Sequence, residues 1–144
     1  MISDALSLLA LAVVLLLAWV VLGPVIYGAP WHWTRKETVR RALELCEAKP
    51  GETLVDLGSG DGRVLITAAR EYGLNGVGLE VDPLKAGMSR LLVRLAGVAD
   101  RVTILRRNVH AYDYREADIL FIYMTHPVLD RLFPAVFDLS LIHI

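Results

Sequence analysis

Apolar and polar positions fall in blocks along this chain, and the blocks differ in period. Residues 5–22 carry no charge and no proline, and the apolar run continues past Gly23-Pro24 to Ile26. Eighteen to twenty-two helical residues span roughly 27–33 Å, about the thickness of a bilayer core. The pattern then becomes periodic. Thr34 and Glu37 have capping-box spacing, with Thr34 at the N-cap, and Val39, Ala42, Leu43 and Cys46 follow at i, i+3, i+4 and i+7, which predicts one buried helical face. Lys49-Pro50-Gly51 is a turn signal, after which Thr53-Leu54-Val55-Asp56-Leu57 reads as a short core strand. A helix is predicted over 64–70 and a second strand over 76–81. Asp82-Pro83 opens another helix, aspartate as N-cap and proline at the first helical position, with Leu84, Met88, Leu91, Leu92 and Leu95 as its apolar face and Gly97 closing it. A third strand over 101–105, a fourth over 118–123 and a helix from His126 toward Phe137 complete the pattern. Short apolar strands alternating with helices predict an α/β fold: a parallel sheet of about four strands with helices on both faces, preceded by one transmembrane helix.

The joint between the first strand and its helix carries the chemistry. Gly58, Gly60 and Gly62 stand at alternate positions in Asp56-Leu57-Gly58-Ser59-Gly60-Asp61-Gly62-Arg63, where the backbone can turn sharply and approach a ligand that a β-carbon would block. The free amides at the start of the following helix are expected to face that ligand. Open α/β sheets bind ligands at the carboxyl ends of their strands, and an acid ending the second strand accepts hydrogen bonds from ribose hydroxyls. Glu80 fits that place. The dinucleotide fingerprint G-x-G-x-x-G is not met, because the spacing here is G-x-G-x-G, and no Gly-Lys-Ser/Thr follows as a phosphate-binding loop requires. Asp56 and Asp61 would repel a pyrophosphate. They suit a cofactor that carries an ammonium and a sulfonium.

Composition adds two points. A hydrophobic share of 55% and a mean hydropathy of +0.48 are high for a soluble domain, and residues 5–26 hold the excess. Asp4 stands where a signal peptide would want a basic residue. The basic residues Arg35, Lys36, Arg40 and Arg41 all follow the apolar run, which places the domain in the cytoplasm, on a single-pass anchor in the cell (inner) membrane. Trp19, Tyr27, Trp31 and Trp33 would suit the interfacial belt. The net charge of −1 gives no electrostatic reason to expect a nucleic-acid partner. Cys46 stands alone, excludes an internal disulfide and reads as a small core residue. No metal site is expected.

Asp56-Leu57-Gly58-Ser59-Gly60-Asp61-Gly62 resembles motif I of the class I S-adenosylmethionine (AdoMet)-dependent methyltransferases, and Gly78-Leu79-Glu80-Val81-Asp82 resembles the acidic motif that follows it. With the apolar N-terminal helix and Gly28-Ala29-Pro30, the chain is similar to membrane-anchored prokaryotic methyltransferases, themselves similar to mitochondrial protein-lysine methyltransferases. The resemblance covers about residues 24–138. It implies a partial Rossmann-like sheet, with Gly58 and Gly60 close under AdoMet and Ser59, Asp61 and Gly62 completing the loop. It further implies Asp56 toward the methionine ammonium, Glu80 on the ribose, and Asp82, Asn108 and Val109 lining the adenine pocket. Tyr123 and His126, near the end of the fourth strand, are catalytic candidates by location only. Many N-methyltransferases carry Asp/Asn-Pro-Pro-aromatic there; Met124-Thr125-His126-Pro127 departs from it and argues against methylation of nucleic-acid bases.

The expected function is AdoMet-dependent protein (lysine) N-methylation at a membrane, with the lipid bilayer and a membrane protein substrate as partners. Two alternatives stay open: an NAD-dependent oxidoreductase and a non-catalytic, membrane-tethered nucleoside-binding module. The chain divides into an anchor (1–27), a methyltransferase domain (28–138) and a tail (139–144). Leu139-Ser140-Leu141-Ile142-His143-Ile144 resembles a translated transposon-end adapter, so the domain is expected to be incomplete, its fourth strand an exposed edge, and the fragment weak in AdoMet affinity and without normal turnover.

Overall fold

The computed structural model describes residues 2–27, 33–123, 130 and 142–143. They belong to two compact units, Met1–Trp31 and His32–Ile144. The first unit is a single helix, α1 (Ile2–Tyr27), with Asp4 in its first turn and leucines such as Leu8, Leu9 and Leu15 more than half exposed. Among the described residues no helix is long and apolar enough to cross a membrane. The expected transmembrane span thus meets a helix, α1, that is not itself shown to be such a span.

The second unit is an α/β sheet. Its elements are α2 (Lys36–Leu45), β1 (Thr53–Leu57), α3 (Arg63–Tyr72), β2 (Asn75–Leu79), α4 (Pro83–Leu95), β3 (Val102–Leu105), β4 (Ile119–Ile122) and β5 (Ile142–His143). The strand order is β3-β2-β1-β4-β5, and every pairing is parallel. β5 pairs Ile142 with Ile119 and His143 with Leu120, so β4 is not the exposed edge expected of it. The helix expected from His126 toward Phe137 falls outside the described residues.

Period-2 alternation splits the core in two. Leu54, Ile104, Ile119 and Phe121 face one side and pack with Val39 and Leu43 of α2, Leu65 and Ala68 of α3, and Ala86 and Val93 of α4. Val55, Leu57, Leu79 and Leu120 face the other, under Tyr114 and Ala117. Among the described residues, then, the helices cover one face and the loop between β3 and β4 covers the other. That loop starts with a 3-10 turn at Val109–Ala111, tied by the Tyr114 hydroxyl donating to the Val109 carbonyl at 2.5 Å.

Two local expectations need correction. The N-cap of α2 is Arg35, without a side-chain bond; Thr34 is buried, so packing rather than capping fixes it, and Glu37 instead lies 3.9 Å from Arg40. The leucines of α4 were expected inward. Instead Ala86, Ser89 and Val93 are buried, while Leu84, Met88, Leu91 and Leu95 are exposed. α4 packs too close to the glycine turn for large side chains: Ser89 Oγ lies where a β-carbon on Gly62 would sit. Cys46 packs against the core as expected.

The two kinds of leucine should separate in urea unfolding. Leu65→Ala, at a fully buried position, should cost about 2–5 kcal/mol; Leu91→Ala should stay within about 0.5 kcal/mol.

Candidate cofactor site

The site forms where β1 and β2 end side by side. Asp56 pairs with Gly78 and Leu57 with Leu79, so the turn after β1 meets Glu80 directly after β2. Gly58, Gly60 and Gly62 have φ of 78°, 54° and 78°, left-handed values that other residues rarely adopt. β2 makes room as well. A β-carbon on Gly78 would come within 2.7 Å of Ser59 Oγ and 2.8 Å of a Leu65 methyl, so this position must be glycine for α3 and the loop to sit so close. Ser59 Oγ is buried there with no hydrogen-bond partner among the described residues.

The loop's amides are largely committed. Gly58 and Ser59 N–H both donate to the Leu79 carbonyl, at 2.9 and 3.0 Å, and Gly62 N–H donates to Ser59 at 2.8 Å. Gly60 N–H donates to Glu80 Oε2 at 3.0 Å, and Arg63 N–H donates to Asp61 Oδ1 at 3.2 Å. The amides of Gly62 and Arg63, just before the helix predicted from Val64, are therefore engaged. A phosphate cradle needs such amides pointing at the ligand; this loop spends them on itself.

Glu80 is the hinge of the arrangement. It is 7% exposed, and its second oxygen accepts from Asp82 N–H at 2.9 Å. Its backbone joins β3 through Glu80 N–H to Leu105 and Arg107 N–H to the Glu80 carbonyl, at 3.0 and 3.2 Å. Each carboxylate oxygen can accept more than one bond, so lone pairs remain for hydroxyl donors. Asp82 caps α4, accepting from Leu84 and Lys85 N–H. Asn108 Oδ1 accepts from His110 N–H and starts the 3-10 turn, next to Arg107 and thus beside Glu80. Val109 is half-buried.

Asp61 serves the loop. Arg63 clamps its carboxylate through Nε and Nη2, and the Arg63 guanidinium carbon lies 4.4 Å from the centre of the Trp33 ring. Nothing in the sequence pattern linked Trp33 or Ser89 to this turn.

Asp56 remains. Burial, then the charges of Glu80 and Asp61, push its carboxyl up to about 8. A carboxyl held above its ordinary value keeps its proton at neutral pH, so its contribution favours the fold at low pH and is lost as pH rises toward 8. A cation beside it would reverse that shift and an anion would deepen it. With Asp61 already paired, the donor set fits a ligand that brings one cationic group and hydroxyl donors. Tyr123 directly follows β4 and is 58% exposed, at the same sheet end as Gly58 because Leu57 pairs with Ile122. His126 lies outside the described residues.

Comparison with known proteins agrees with this geometry. The ANTKMT methyltransferase domain matches residues 56–139. A structure described as an RNA methyltransferase from Salinibacter ruber in complex with S-adenosyl-L-homocysteine shares 39% identity and a TM-score of 0.72, covering 74% of this chain and 70% of that one. A protein-lysine N-methyltransferase of Saccharolobus islandicus (strain REY15A) is 30% identical over 73% of this chain and 66% of its own length. The adenine nucleotide translocase lysine N-methyltransferase of Mus musculus is 31% identical over 76% and 47%. The chain thus spans two-thirds or less of the curated relatives it matches. The fold is that of an AdoMet-dependent methyltransferase, and AdoMet is the cofactor.

Replacing Glu80 by alanine removes two charge-assisted hydrogen bonds and strands the Gly60 amide. Unfolding in urea should show a loss of about 1.5–3 kcal/mol, and unchanged stability would remove Glu80 from its linking role.

Proposed function

The chain belongs to the ANTKMT methyltransferase domain family, and from that premise we propose that it serves AdoMet-dependent N-methylation of protein lysine at a membrane. AdoMet supplies a methyl group on a sulfonium, open to in-line displacement by an amine. The chain's own residues bind and orient. Asp56 takes the ammonium of the methionine end and ionises as it does so. Gly58, Ser59, Gly60 and Gly62 form the turn that lets the backbone pass close under the cofactor, with Asp61 holding that turn through Arg63. Glu80 would accept hydrogen bonds from the ribose hydroxyls, and Asp82, Asn108 and Val109 would border the adenine. Positioning of this kind supplies much of the acceleration in a one-step displacement. Tyr123 and His126 are candidates to border the acceptor, where a lysine amine must arrive unprotonated.

The observation that carries the cofactor half is the buried Asp56 beside Glu80, pushed up to about 8, which a cationic ligand relieves and a pyrophosphate aggravates. Lysine as acceptor is supported by the names of two relatives. Membrane attachment is supported by the uncharged residues 5–22 and by the exposed leucines of α1, a compact unit by itself. RNA is a second reading, favoured by the Salinibacter ruber likeness; the net charge of −1 opposes it.

One assay separates the acceptors. The protein is incubated with methyl-labelled AdoMet, membrane fractions and total RNA, and the products are hydrolysed. Label is expected in N-methylated lysine from membrane protein. Label in methylated nucleotides would replace lysine by RNA, and label in soluble protein alone would remove the membrane from the proposal.

A further inference from the structure

α4 exposes the side that an ordinary core helix would bury. Leu84, Met88, Leu91 and Leu95 are 51%, 38%, 55% and 75% exposed. At 100° per residue they lie within about 60° of one another, opposite the buried Val93. Along the axis they extend about 16 Å. Gly87 borders the stripe with nothing within 4 Å of an added β-carbon, so this flank is open. The charges on the helix itself have one sign, while its N-cap Asp82 lies 3.9 Å from Lys85 and the exposed Asp100 follows the helix. Residues 83–99 contain Lys85, Arg90 and Arg94 and no acid. Arg90 Nε donates to the Ile104 carbonyl, next to the end of β3, where Arg106 and Arg107 are exposed along with Arg94.

We propose that this face of α4 docks on the surface of an anionic phospholipid bilayer. The four apolar side chains enter the boundary between headgroups and acyl chains, and the flanking basic side chains meet the lipid phosphates. An amphipathic helix with one apolar stripe and a basic polar side binds interfaces in this way, through buried apolar area plus attraction to anionic lipid. The charge selects the occupant, since an apolar stripe flanked on its own helix by Lys85, Arg90 and Arg94 and by no acid complements an anionic surface. The contact is separate from any anchoring by α1. It also bears on the site: α4 begins at Asp82, and Ser89, on its opposite side, lies against Gly62. Docking would hold the glycine turn about one helix diameter, roughly 10 Å, above the lipid.

The test uses the full chain with Cys46→Ala and a single cysteine carrying an environment-sensitive fluorophore. Leu91→Cys and Met88→Cys report the stripe, Asp113→Cys the loop on the other sheet face, and Leu15→Cys reports α1. Vesicles are phosphatidylcholine alone or with about 30% phosphatidylglycerol, each with nitroxide-labelled lipid. The probes at 88 and 91 should shift to the blue and be quenched with the anionic vesicles far more than with the neutral ones, while the probe at 113 stays unquenched. Quenching at 15 with none at 88 and 91 would overturn the docking and leave the anchor. Equal quenching on both vesicles, or quenching at 113 as well, would overturn the anionic docking surface. A blue shift at 91 without lipid that grows with protein concentration would overturn it in favour of a second copy of the chain.

Discussion

One buried carboxylate ties the functional end of this fold together. Glu80 accepts from Gly60 in the turn after β1 and from Asp82 at the start of α4, while its backbone joins β3. Without it the turn would hold to the second strand only through the Gly58 and Ser59 bonds to the Leu79 carbonyl, and the N-cap of α4 would lose the bond to its own amide. A charge this buried is costly unless fully hydrogen-bonded. Two amide donors meet part of that need, and ribose hydroxyls would meet the rest. The residue proposed to recognise the cofactor therefore also builds the turn beside it.

The charges around Glu80 explain the ligand preference better than a count of acids does. In the sequence Asp56 and Asp61 are alike, two acids that repel a pyrophosphate. In the fold they part. Asp61 is neutralised by Arg63, while Asp56 lies buried between β1's neighbours with no cation beside it among the described residues and retains its proton at neutral pH. The loop amides turn inward to Leu79, Ser59 and Glu80. A pyrophosphate would find few donors here and would raise Asp56 further; an ammonium lets Asp56 ionise.

Much of this was legible in the chain. Three glycines at alternate positions required a left-handed turn, and Asp82-Pro83 required a helix start; both are where the spacing puts them. Local chemistry determines such features, so sequence reveals them. The failures share another cause. Thr34 had the right spacing for a cap, but tertiary packing buried it. The leucines of α4 had helical periodicity, yet periodicity only says that a helix has two sides, and the close approach to Gly62 gave the sheet-facing side to Ala86, Ser89 and Val93. Asp56 and Asp61 look equivalent in a string of letters because what separates them, the burial of Asp56, is set by tertiary packing, whereas Asp61 pairs with Arg63 only two residues on.

The central claim, that the site is built for a cation and uses Asp56 to receive it, is tested most directly by proton linkage. S-adenosylhomocysteine, which carries the same ammonium, is titrated calorimetrically at pH 7 in buffers of different ionisation enthalpy. Asp56 starts protonated, because its value lies near 8, and ionises beside the ammonium, so binding should release close to one proton. Asp56→Asn should bind more weakly and release none. Binding heats that are the same in every buffer for the unsubstituted chain, or proton uptake in place of release, would contradict it.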